Sequence, residues 1–125
     1  MKFKKISSNK INLPILIPTS KSYANRAIIL AAITNQKITV SDIPGSSDVQ
    51  EMIEVLKELS LVSENVGNEI VITKTFPEDE VTHNTIKEIY LGEGGTTIRF
   101  LLTMLALGKQ KYRIIVHPRF KLRPY

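Results

Sequence analysis

A chain of 125 residues has room for one compact domain or two small subdomains, burying roughly two thirds of its unfolded surface. Its 42% hydrophobic and 23% charged residues are ordinary for a soluble globular protein, and no apolar run approaches the ~20 residues of a membrane-spanning helix. The absence of cysteine excludes disulfides and thiolate metal sites, and two scattered histidines, His83 and His117, form no ligand cluster, so no metal is expected. The net charge of +5 permits either a nucleic-acid surface or a basic pocket for small anions. Tyrosine and phenylalanine are sparse and not interleaved with the charges as a base-stacking platform requires, so the pocket is the better reading. The basic start MKFKKISSNK lacks the apolar core of a signal peptide, which makes the cytoplasm the expected compartment.

Residues Lys2 to Ser8 alternate apolar and polar, and Ile11 to Ile17 form an apolar run closed by Pro18; both read as strands. From Ser22 to about Ile33 the chain is apolar nearly all round, which predicts a helix buried on most sides. Ser20 or Ser22 is a candidate N-cap, and Ser22 and Arg26 are i, i+4 neighbours on one face. Lys37 to Ser41 reads as a strand closed by a turn at Ile43-Pro44-Gly45-Ser46-Ser47. Ser47-Asp48-Val49-Gln50 has a capping-box pattern, with Asp48 favoured by the macrodipole, and Val49, Met52, Ile53, Leu56 and Leu59 recur at helical spacing. Leu61 to Val66 and Glu69 to Thr73 read as a hairpin about Gly67-Asn68. The polar stretch from Thr75 to Asn84, with Pro77, reads as a connector.

A new strand is expected at Ile86 to Leu91. Gly92, Gly94 and Gly95 then permit close backbone approach before a helix with Ile98, Leu101, Leu102 and Leu105 on one face and Gly108 as C-cap. Lys111 to Val116 reads as the following strand, and PRFKLRPY ends the chain with Arg119, Lys121 and Arg123. Ser22 precedes Arg26 by four residues as Gly95 precedes Arg99, and the two pairs stand 73 residues apart (22 to 95, 26 to 99). That echo predicts duplicated strand, loop and helix units, each aiming N–H groups and a guanidinium at one anion. The expected fold class is α+β (α/β), with repeated βαβαββ units: residues 1–74 as the first, 75–85 as connector and 86–125 as an incomplete second. An incomplete unit leaves an open sheet edge, which predicts self-association.

Four segments, in order, resemble the 5-enolpyruvylshikimate-3-phosphate synthase family, the 3-phosphoshikimate 1-carboxyvinyltransferases. PTSKSYANRA resembles the substrate-binding PGSKSxxNRA, SSDVQEM resembles SDDVxxM, LGEGGTTIRFL resembles LGNAGTxxRxL, and PRFKLRP resembles RxxxRP. The resemblance runs nearly end to end but covers only about the first third of a family member. It implies the enolpyruvyl transferase fold, with helices packed inward, and transfer of the enolpyruvyl group of phosphoenolpyruvate to shikimate 3-phosphate in chorismate and aromatic amino acid biosynthesis. It implies no cofactor. By resemblance Lys21 is the catalytic candidate and contacts both substrates, Ser22 and Arg26 hold shikimate 3-phosphate, and Gly95 and Arg123 bind phosphoenolpyruvate, with Asp48 and Arg99 in support. Cations and helix N-termini in this arrangement would offset the mutual repulsion of two anionic ligands.

Three positions depart from the family. Glu93 stands for asparagine and sets a carboxylate beside the proposed phosphoenolpyruvate site, where it should repel that ligand or need a cationic neighbour. Thr19 replaces a loop glycine, and Val116-His117 replace a glycine and an acidic residue. The residues of the family's other domain have no counterpart here, so the chain alone is expected to be inactive and to need a C-terminal portion as partner. The alternatives are a non-catalytic module binding a phosphorylated metabolite or an acidic partner, and a UDP-sugar enolpyruvyl transferase. The latter is disfavoured because that family usually has asparagine at Ser22 and lacks the Asn25-Arg26 pair.

Overall fold

A computed structural model describes residues 19–77 and 85–122. The strands expected at Lys2 to Ser8 and Ile11 to Ile17, most of the connector and Arg123 lie outside these described residues. The chain is mixed α and β, in the order α1 (Lys21–Ile33), β1 (Ile38–Val40), α2 (Ser47–Glu58), β2 (Val62–Val66), β3 (Glu69–Ile72), β4 (Ile86–Leu91), α3 (Gly95–Leu105), β5 (Lys111–Val116) and a 3-10 turn at Pro118–Leu122. One sheet is antiparallel in the order β1-β3-β2, and the other is the pair β4-β5.

Local chemistry explains most of these boundaries. Ser20 caps α1, its Oγ accepting from the Tyr23 N–H at 3.5 Å. The hairpin turns at Gly67, whose φ of 60° suits a residue without Cβ. In register, Ile70 and Ile72 of β3 point inward between β1 and β2, with Ile38 opposite Ile72 and Val40 opposite Ile70. β4 and β5 are parallel, from Ile86 opposite Lys111 to Leu91 opposite Val116. Parallel strands need a crossover, and α3 supplies it.

The N-cap of α2 lies one residue before the expected Ser47, and the expected capping box does not form. Ser46 is the N-cap of α2, its carbonyl accepting from Val49 and Gln50, while its buried Oγ has no partner. At the other end α2 closes in a Schellman motif: Leu61 N–H reaches the Leu56 carbonyl (2.9 Å) and Ser60 N–H reaches that of Lys57 (2.8 Å). The residue in the left-handed position is Ser60, at φ 61°, where glycine is usual. Leu61 and Leu56, both fully buried, make the apolar closure of the motif.

The core lies where the three helices meet the sheets. Ile28, Met52, Ile53, Leu56, Ile98, Leu101 and Met104 are at most 1% exposed and join Ile70, Ile72 and Ile89 from the strands. Three expectations are corrected here. Helix α1 buries one side only, through Asn25, Ile28, Ala31 and Ala32, and leaves Leu30 59% exposed. In α3 the buried stripe is Thr97, Ile98, Leu101, Met104 and Leu105, while Leu102 turns outward. Gly108 is not the cap, since Ala106 takes that place; a Cβ at Gly108 would lie 3.1 Å from the Phe76 ring, so its smallness admits Phe76 to the core. Among the described residues no helix is long and apolar enough to cross a membrane.

The packing assigns opposite outcomes to neighbouring leucines. Leu101→Ala should cost about 2–5 kcal/mol of stability in urea denaturation, as a buried truncation does, while Leu102→Ala should cost well under 1 kcal/mol. Ser60→Gly should stabilise by up to about 1 kcal/mol, because it relieves a left-handed residue bearing a Cβ.

Candidate functional site

Helix α2 carries the site. Packed between α1 and α3, it presents Asp48 and Glu51, one turn apart, to the glycine-rich loop that joins β4 to α3. Asp48 is the junction. Its Oδ2 pairs with Lys21 Nζ at 2.7 Å, and its backbone carbonyl accepts from Thr97 Oγ1 at 2.9 Å. A Cβ on Gly94 would fall 3.1 Å from Asp48 Oδ1, so a side chain there would crowd the carboxylate that holds Lys21. Glu51 holds the same loop one step earlier, its Oε1 accepting the Gly92 N–H.

These contacts frame a cavity of about 990 Å³. Its wall joins Lys21 from α1, Ser47, Asp48 and Glu51 from α2, the Gly92 to Thr96 loop, Arg99 from α3 and Phe120 from the 3-10 turn. The first N–H groups of α3, which have no acceptor within the helix, start at this wall behind the N-cap Gly94. Such an end carries partial positive charge and suits an anion. Lys21 and Arg99 add two full charges. Among the described residues no cluster of carboxylates and histidines is placed to hold a metal ion.

Of the residues singled out in the sequence, Lys21, Asp48, Gly95 and Arg99 meet at this wall. Ser22 and Arg26 stand beside it on α1 without lining it. Arg26 Nη1 donates to the Ser22 carbonyl at 2.9 Å and to its hydroxyl, and the guanidinium lies over the Phe100 ring, 5.6 Å from the centroid. The echo between the two helix starts is therefore unequal: Arg99 faces the cavity and Arg26 spans the side of the α1–α3 pair. Asn25, of the same motif, points into the core, fully buried and with neither amide atom hydrogen-bonded.

Glu93, expected to repel an anion unless a cation stood by, has two basic neighbours. His117 Nδ1 lies 3.1 Å from its Oε1 and Arg119 Nη1 lies 3.7 Å away. Both belong to the segment leaving β5, so the contact ties the glycine loop to the 3-10 turn that brings Phe120 to the wall. Sequence reasoning missed Glu51 and Phe120. Glu51 was open to discovery, because a residue three after Asp48 on an amphipathic helix shares its face.

Burial raises the Glu51 carboxyl above its ordinary 4.5, and the nearby Asp48 charge pushes it the same way. The Gly92 N–H works in the opposite sense without cancelling the effect.

With this geometry in place, a family model described as EPSP synthase (3-phosphoshikimate 1-carboxyvinyltransferase) matches residues 6–124. The chain belongs to the EPSP synthase family. A 3-phosphoshikimate 1-carboxyvinyltransferase of Aliivibrio fischeri is 33% identical over 116 residues, covering 93% of this chain and 27% of that protein. Proteins of the same name from a Shewanella species and from Aliivibrio salmonicida are each 32% identical, covering 88% and 93% of this chain. The chain spans about a quarter of the length of these relatives.

The raised Glu51 carboxyl sets the sign of a pH effect. Between 4.5 and the raised value the folded state holds a proton that the unfolded state has lost, so this group makes stability fall as pH rises through that window. Below it both states are protonated and the contribution vanishes. Glu51→Gln should flatten that part of the profile in denaturation midpoints measured from pH 4 to 7, making the variant relatively more stable at the upper end.

Proposed function

We propose that this chain supplies one wall of an enolpyruvyl transferase site, in the reaction that moves the enolpyruvyl group of phosphoenolpyruvate to the 5-hydroxyl of shikimate 3-phosphate and releases phosphate. The place of that reaction is the shikimate route to aromatic amino acids, in the cytoplasm. The observation that carries the reading is the convergence of Lys21, held by Asp48, with Arg99 and the open N-terminus of α3 on one cavity. Two polyanions can be brought together only where their repulsion is offset, and fixed cations with unpaired N–H groups do this without moving during the reaction.

In this reading Lys21 lies between the two substrates, and its pairing with Asp48 orients the ammonium while leaving its other protons to donate. Gly95 N–H and Arg123 take the phosphoenolpyruvate anion, with Arg99 alongside. Ser22 and Arg26 take shikimate 3-phosphate, which requires the guanidinium to exchange its contact with the Ser22 carbonyl for the ligand. Residues 1–74 form one βαβαββ unit, 75–85 a connector, and 86–125 the first half of the next. The relatives' remaining length supplies the opposite wall, so the chain alone binds weakly and scarcely turns over.

Calorimetric titration with shikimate 3-phosphate, then phosphoenolpyruvate, tests this. Binding is expected, and Arg26→Ala should weaken shikimate 3-phosphate about 10-fold or more, equal to about 1.4 kcal/mol. Adding the complementary C-terminal part of a relative should restore phosphate release. Unaltered binding in the Arg26→Ala variant would remove Arg26 from the site, and no binding of either ligand would refute the reading.

A further inference from the structure

Among the described residues, the cavity meant for anions has more acid than base on its wall. Lys21 and Arg99 are its cationic side chains, against the carboxylates of Asp48, Glu51 and Glu93. Two of these acids have basic neighbours: Asp48 pairs with Lys21 at 2.7 Å, and Glu93 lies beside His117 and Arg119. Glu51 is different. Among the described residues no cation stands within 4 Å of it, and its hydrogen bond comes from the Gly92 backbone. That backbone leads directly into Gly94 and Gly95, where the α3 N-terminus opens to the cavity.

An incoming dianion therefore meets one carboxylate that no side chain among the described residues offsets, at the base of the loop that should receive it. The charged groups that share the cavity wall with Glu51 are Asp48 on its own helix, Lys21 from α1, Glu93 from the loop and Arg99 from α3. Lys21 is already engaged by Asp48, so the cheapest way to lower the repulsion is to protonate Glu51. The geometry permits this without loss of the loop contact. Oε1 keeps accepting the Gly92 N–H while the proton sits on Oε2.

We propose that Glu51 is a proton-linked positioning residue of this site: a tetrahedral dianion enters with uptake of one proton from solvent onto Glu51 Oε2, while Oε1 continues to hold the glycine loop through Gly92. The inference rests on the anion-site reading above and adds that anion affinity follows the charge of Glu51. Burial and Asp48 already raise this carboxyl before any ligand arrives, and a second negative neighbour acts in the same direction.

Sulfate is the suitable probe, because it stays a dianion across the range and contributes no titration of its own. Its dissociation constant for the 125-residue chain would be measured by amide shifts at Gly92, Gly95 and Thr96 from pH 4.5 to 8 at fixed ionic strength. Affinity should weaken as pH rises through the raised carboxyl range. In Glu51→Gln that segment of the profile should flatten, and at pH 7.5 sulfate should bind roughly three- to tenfold more tightly than to the unaltered chain. Glu54→Gln removes the same charge from α2 at a residue paired with Lys57 outside the cavity lining, and should leave the profile's shape unchanged. Equal profiles in the unaltered chain and Glu51→Gln, or flattening in Glu54→Gln as well, would overturn the role of Glu51 while leaving the anion site standing. Absence of sulfate binding in all three proteins would overturn the site and this inference together.

Discussion

Asp48 is the contact on which the described structure of the site depends. Its carboxylate holds Lys21 of α1, its carbonyl holds Thr97 of α3, and its Oδ1 would be 3.1 Å from a Cβ on Gly94. One residue in the first turn of α2 thus joins three elements that are far apart in sequence. Its position there also agrees with the helix dipole, so the pairing costs little local stability. The salt bridge itself is half exposed and contributes modestly to folding. Its effect is geometric: it holds an ammonium over the cavity in one direction.

The placement of that ammonium relies on ordinary packing beneath it. α2 buries Val49, Met52, Ile53, Val55 and Leu56, and α3 buries Ile98, Leu101 and Met104 against the same core. Because interiors tolerate little change in volume, the two helix starts cannot drift apart without opening a void. Gly92, Gly94 and Gly108 serve the same end in different places, each admitting a neighbour where a Cβ would crowd it. Precision at the cavity thus rests largely on the apolar packing beneath it.

Much of this was legible in the sequence, and the failures have physical causes. β4, β5 and the Gly67 turn fall where periodicity and turn chemistry put them, since strand alternation and a glycine at positive φ are local signals. The end of α2 was harder to read because Ser60 occupies a left-handed position that usually advertises itself with glycine. Leu102 and the exposed side of α1 were misjudged for one reason: an apolar residue is permitted on a surface, and only neighbours decide which apolar residues are covered. The motifs located Lys21, Asp48, Gly95 and Arg99, which the fold brings together. They did not reveal that Arg26 leans on Phe100, because a side-chain direction set by a ring on another helix leaves no trace in spacing.

Glu93 shows how a charge that looks hostile in sequence becomes neutral in context. Beside an anion site an added carboxylate opposes binding, yet here it faces His117 and Arg119 from the strand end across the loop. His117 itself stands where the resembling family carries an acid, so the two departures meet each other across the loop. A pair of this kind, partly exposed on both sides, adds little to stability but fixes which segments meet. It draws the 3-10 turn, and with it Phe120, against the cavity wall. Among the described residues Glu51 has no such counterpart on another element. The cavity therefore treats its three acids differently: one orients the lysine, one fastens the loop to the strand end, and one holds the Gly92 N–H with its carboxyl raised by burial.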